Sequence, residues 1–235
     1  VIRTHFAVRP LFHRELVLED IVIERPEVAF IQKTDGRDNV SALLALVARR
    51  SQPPPGKPFA IHLTRFSVSN ATLSLTVPAV SASRPFLLRP LSIDLLEVRI
   101  PNEAAIATPF TIEATVVAPH PVLLTSAGEG IFFHNPIQFS ANTLVRNIVL
   151  PDFAYLYGNA PVVPQSGTVS FMSRAVCKSN FLTSTNRVEI SGLRIKILRG
   201  GPLAGTWLGL PANAFARFLE DQRGTIALDV PISGP

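Results

Sequence analysis

The chain has 235 residues, of which 47% are hydrophobic and only 17% charged, against about 25% charged in ordinary soluble domains. That much apolar surface offsets chain entropy and excludes a disordered chain, yet no run of about 18 uncharged apolar residues is present to cross a bilayer as a helix. The net charge of +5 rests mostly on arginines scattered singly, apart from Arg49-Arg50. This is the pattern of a solvated surface rather than the stripe of a nucleic-acid binder, so nucleic acid is not expected as a partner.

Taken in chain order, strand signals dominate. Leu16–Ile23 and Val28–Gln32 read as strands. Asp35-Gly36 is a turn dipeptide. Asn39 is predicted to cap a helix over Val40–Arg49, with Val40, Leu43, Leu44 and Val47 on one face and Arg49-Arg50 in the last turn. "SQPPPGKP" ends it and closes a first unit at 1–58. The second unit, 59–235, holds strand patterns at Ile61–Ser69, Leu91–Ile100, Gly130–Phe133, Phe139–Leu150, Thr168–Cys177 and Val188–Leu198. Alternation is strict in "TLSLTV", "FTIEATVV" and "TIALDVPI", where one face takes Leu73, Leu75 and Val77, or Phe110, Ile112 and Val116, or Ile226, Leu228 and Val230. A second helix is predicted over 211–222, from Pro211 at its first position to Gly224 near its end. The fold class is therefore mainly β, with an antiparallel sheet and two short helices.

No pattern points to catalysis. The five histidines are dispersed, and none forms a metal-binding spacing. His62 sits in a strand. "TDGRDN" lacks the alternating ligands and distal Glu of a calcium loop and reads as a turn before a helix cap. Cys177, the single cysteine, excludes an internal disulfide and falls in register with Val169, Phe171 and Ala175, as an inward strand residue would. No catalytic residue, metal site or cofactor is expected, and the chain is not read as an enzyme. One Trp, two Tyr and 21 Pro argue against an outer-membrane barrel with aromatic girdles.

The order of segments resembles the AsmA-like family of bacterial envelope proteins. The likeness runs through "PEVAFIQKTDGRDNVSALLALV", with Pro26, Asp35, Gly36, Asn39, Leu43 and Leu44. It continues in "IHLTRFSVSNATLSLTV", similar to a hairpin with Asn70 at the turn, and in the long paired strands of "SGTVSFMSRAVCKSNFLTSTNRVEISGLRI". It ends in "AFARFLEDQRGTIALDVPISG". The resemblance implies a curved antiparallel sheet forming an open apolar groove capped by the two helices. It also implies a place in the periplasm, anchored to the inner membrane by a segment outside this sequence, which is read as part of a longer chain. The implied role is movement of phospholipids or other lipids between inner and outer membranes. The expected lining is Leu73, Leu75, Val77, Phe110, Ile112, Val116, Val169, Phe171, Ile226, Leu228 and Val230, with Arg65, Arg174 and Arg194 at the rim meeting phosphate. The same side chains suit the core of a closed β-sandwich that binds another envelope protein by its edge, because alternation fixes only relative facing.

Overall fold

The computed structural model describes residues 1–7, 14–33, 35, 37–39, 41, 60–77, 85–132, 136–156, 162–197, 221 and 224–234. Its strands are β1 (Ile2–Ala7), β2 (Glu15–Glu24), β3 (Glu27–Ile31), β4 (Ala60–Thr76), β5 (Phe86–Ile100) and β6 (Thr108–Val116). β7 (Val122–Ile131), β8 (Gln138–Val149), β9 (Val162–Lys178), β10 (Phe181–Ile197) and β11 (Thr225–Gly234) follow, with a 3₁₀ helix at Leu150–Leu156 between β8 and β9. All eleven strands form one sheet, ordered β1-β2-β4-β5-β6-β7-β8-β9-β10-β11, with β3 also on β4. The sheet is not closed: among the described strands β1, β3 and β11 have no partner on their outer sides, and the described residues contain no second sheet to make a sandwich.

From β4 to β11 every pairing is antiparallel. β2 and β3 depart from that expectation, because both run parallel to β4. Parallel neighbours need a crossover of a dozen or more residues, and the stretch from 32 to 59 is long enough to supply it. β2 covers the first half of β4 and β3 the second, with a break at Arg25, whose φ is 53°. Arg25 N–H donates to Ser69 O at 2.8 Å and Thr72 N–H to Pro26 O at 2.9 Å, so the ladder is carried across the break.

That break sits beside a feature the sequence reading took for a turn. β4 does not reverse at Asn70; it runs on through a bulge there, with Asn70 at φ 53° and the β5 register shifting between Val68 and Ala71. Asn tolerates the left-handed region that both a hairpin and a bulge require. β5 shifts register against β6 between Leu88 and Leu91, and β8 against β9 between Val145 and Ile148, where Asn147 has φ 65°. Each inserted residue inverts the alternation beyond it. Phe66 and Val68 are thereby brought to the same face as Ala71, Leu73 and Leu75.

Two apolar clusters result. Val68, Ala71, Leu91 and Ala114 form one, with Ile23, Ile93, Ile112 and Leu124 packed beside them. Val116, Val122 and Phe153 form the other. The packing partners come from neighbouring strands or from the 3₁₀ helix, so cohesion is lateral along one face.

The predicted helices fall almost wholly outside the described residues. What is described of the first corrects its cap. Ser41 N–H donates to Asp38 Oδ1 at 2.6 Å and Ser41 Oγ–H to Asp38 Oδ2 at 2.7 Å, which is the N-cap geometry. Asn39 instead clamps β3, accepting from Ile31 N–H at 2.8 Å and donating Nδ2–H to Ala29 O at 2.6 Å. Of the second, Gly224 has φ 68° and its N–H donates to Asp221 O at 3.0 Å, the turn that leads into β11.

If the Asn70 bulge sets the phase of β4, its backbone conformation is the quantity that matters. Asn70→Gly is expected to leave stability within about 0.5 kcal/mol of the parent, and Asn70→Val to cost about 1–2 kcal/mol, because a β-branched residue resists φ near 50°. Urea unfolding midpoints of the two variants check this.

Candidate functional site

The pairings tie side chains into rows that cross the sheet. One row runs Ile2, Ile23, Val68, Ile93, Ile112, Ser126, Thr143, Ser173, Asn186, Val230. A neighbouring row on the same face runs Ala71, Leu91, Ala114, Leu124, Val145, Phe171, Val188, Leu228. Beyond it lie Leu73, Leu88, Val116 and Val122 on β4–β7, and Ile148, Val169, Ile190 and Ile226 on β8–β11. The alternate residues make the opposite face. Its rows run Ser67, Asp94, Thr111, Ala127, Asn142, Arg174, Thr185 and Ser92, Glu113, Thr125, Leu144, Met172, Arg187, Asp229. One face is thus largely aliphatic and the other largely polar.

The expected lining residues come together on this register. Leu73, Leu75, Phe110, Ile112, Val116, Val169, Phe171, Ile226, Leu228 and Val230 share the aliphatic face, and Val77 is half-buried at the first position past β4. They are not equally covered. Val116 and Ile226 are buried, while Leu228 and Val230 on the free edge are each 44% exposed and Ile232 beside them 53%. Most of the rest are half-buried. Among the described residues the packing on this face is lateral, apart from the 3₁₀ helix.

The arginines assigned to the rim require correction. Arg65 and Arg174 alternate with Phe66 and Ser173, which puts them on the polar face. Arg65 is held there by Asp94, donating from Nη2 at 2.7 Å and Nε at 3.1 Å to Oδ1. Arg194 is exposed on β10 past the register shift that follows Ser191. The Arg65 hydrogen bond draws the Asp94 carboxyl below its ordinary pKa, partial burial opposes it, and a hydrogen bond from Ser67 adds to it. Arg187 is likewise held charged by Glu189, whose Oε1 accepts from Nε at 2.9 Å, and by Asp229. Both pairs lie on the polar face, while the same alternation places the His62–Glu97–Arg99 group on the face of Phe66 and Val68, toward the start of β4.

One end of the aliphatic face has a cover that sequence reasoning missed. The 3₁₀ helix after β8 buries Phe153 against Val116 and Val122, with ring contacts to Phe86 at 6.5 Å and Tyr155 at 6.3 Å between centroids. Asp152 anchors it, accepting from His120 N–H at 2.8 Å and facing His120 Nδ1 at 3.0 Å. Pro151 and Asp152 directly after an apolar run are the signal that was available.

Other polar groups pair locally. His62 Nε2 lies 2.8 Å from Glu97 Oε2. Cys177 is buried, as its strand register required, and its thiol points to Ile137 O at 3.7 Å. Among the described residues no three His, Cys, Asp or Glu side chains are grouped to hold a metal, and no helix is long and apolar enough to cross a membrane. Comparison with protein-family models, curated proteins and solved structures finds no match to this chain.

A carboxylate held charged in the folded state stabilises that state above its unfolded pKa and loses this contribution as pH falls through the folded value. Asp94 is expected to stabilise the fold above about its ordinary value of 3.8 and to lose that contribution below it. The stability gap between the parent and Asp94→Asn should therefore shrink as pH is lowered from 6 to 3 in urea titrations. The gap itself should be small, since the Arg65 side chain is exposed.

Proposed function

We propose that the chain is a lipid-binding module of the bacterial envelope that shelters phospholipid acyl chains on its aliphatic face and carries them between inner and outer membranes. The observation that carries this reading is the register: over β4 to β11 the rows through Val68, Ala71 and Leu73 put mostly apolar side chains on one face of an open sheet, and the rows through Ser67 and Ser92 put mostly polar ones on the other. Each methylene withdrawn from water onto such a face gains about 0.8 kcal/mol. An acyl chain shifting along a uniformly aliphatic track exchanges like contacts for like, so the barrier to sliding is low. The longest strands have 17 residues, about 55 Å at strand rise. That exceeds the roughly 15 Å depth of one leaflet, so a chain can remain sheltered over several times its own length. The resemblance to AsmA-like proteins supports the same reading and the periplasmic, inner-membrane-anchored setting that goes with it. In this role the sheet curves into a groove, the 3₁₀ helix stops one end, and no residue is catalytic.

A second reading is favoured by the edges. β11 presents ten residues with Leu228, Val230 and Ile232 exposed; its outer edge has no partner among the described strands, and such an edge is a template for strand addition by another envelope protein. The closed sandwich that accompanied this alternative does not form among the described residues.

Native mass spectrometry of the full-length protein in mild detergent, with lipid extraction, distinguishes the two. Co-purified phospholipid is expected. Ile112→Asp and the edge variant Leu228→Asp should each reduce it severalfold, with folding checked by circular dichroism. Thr111→Lys on the polar face should leave it unchanged. A lipid-free protein, or equal loss from substitutions on both faces, would move the assignment to the scaffold.

A further inference from the structure

The aliphatic face is interrupted. Where the row from Ile23 to Ile112 reaches β7, it turns polar: Ser126, Thr143, Ser173 and Asn186 stand in register across four strands. Apolar rows flank it, Leu124, Val145, Phe171 and Val188 on one side and Phe139 and Leu182 two rows away on the other. Between the polar row and Phe139 the floor is Gly128, Ala141, Ala175 and Ser184.

These polar groups are ordered but not saturated. Asn186, 5% exposed, donates Nδ2–H to Val230 O and to Ser184 Oγ, each at 2.9 Å. Ser184, 8% exposed, therefore accepts, and its own O–H has no acceptor among the described residues. Ser126 Oγ and Thr143 Oγ1 lie 2.9 Å apart, a contact that uses one of their two hydroxyl protons. Ser173 makes no side-chain hydrogen bond among the described residues. Among the described residues, hydroxyl donors thus stand without acceptors in an uncharged row between aliphatic ones. A bare hydrocarbon satisfies none of them, and among the described residues no cation stands in this row to meet a phosphate.

We infer that this row receives the acyl carbonyl groups of a glycerolipid, fixing where the junction between chains and headgroup sits while the chains lie on the aliphatic rows. The inference rests on the lipid-binding reading above and adds a register to it. The carbonyl oxygens accept from Ser173, from the Ser126–Thr143 pair and from Ser184, whose hydroxyl Asn186 orients.

The test compares dioleoyl phosphatidylglycerol with its di-O-oleyl ether analogue, which has the same chains and headgroup but no carbonyl. Competition for the full chain is read by native mass spectrometry. The ester is expected to bind more tightly by about fivefold per hydrogen bond formed. Ser173→Ala combined with Thr143→Val should lower the ratio severalfold, since Ser126 and Ser184 remain. Equal binding of the two lipids by the parent, or a preference unchanged by both substitutions, overturns the row as the carbonyl site and leaves the lipid reading standing. Binding of neither lipid overturns both.

Discussion

Side chains alternate along a strand, so one added residue turns everything beyond it to the other face. This constraint governs the whole molecule. The described strands make a single layer, and a single layer has a coherent apolar face only if every strand keeps the same phase. β4 would lose it at Asn70, β5 at Arg89-Pro90 and β8 at Asn147 without the bulges found there. Two of these positions use an asparagine at positive φ, at a cost in backbone strain that the lateral packing of Val68, Ala71, Leu91 and Ala114 must exceed. The break between β2 and β3 at Arg25 belongs to the same device, since it lets the edge follow the bulge in β4.

From that coherence follows an asymmetry between faces. The Arg65–Asp94 and Arg187–Glu189 pairs lie on the polar face. Aliphatic side chains sit opposite, packed sideways and half-covered. An open apolar face of this kind is unusual in a protein that works alone in water, which is the support for the lipid-binding proposal. The 3₁₀ helix covers the Val116–Val122 end through Phe153. The polar row through Ser126, Thr143, Ser173 and Asn186 then gives that face a position as well as a polarity.

Much of this was legible strand by strand. Leu73 with Leu75, Phe110 with Ile112, Val169 with Phe171, and Ile226 with Leu228 each declared a shared side, because period-two alternation is local. What joined them was not local. Asn70 carries the same residue preference as a hairpin turn, so the sequence could not tell continuation from reversal. Asp38 and Asn39 are both good caps, and only the reach of Asn39 back to β3 decides between them. The parallel placement of β2 and β3 depends on a crossover whose path alternation does not encode. Arg65 and Arg174 were assigned to the rim although their neighbours Phe66 and Ser173 hold the opposite face; following the alternation would have placed them correctly. Ser126, Thr143, Ser173 and Asn186 are far apart in the chain, and only the register across four strands reveals them as one row.

The central claim is that one face of this sheet, and not the other, meets lipid. Site-specific photocrosslinking along β6 tests it most directly, because four consecutive positions sample both faces. A benzophenone side chain would replace Phe110, Thr111, Ile112 and Glu113 one at a time in the full-length protein in intact cells, and phospholipid adducts would be scored. The account predicts adducts at 110 and 112 and none at 111 and 113. Lipid adducts without that alternation, or adducts to protein instead of lipid at 110 and 112, would contradict it.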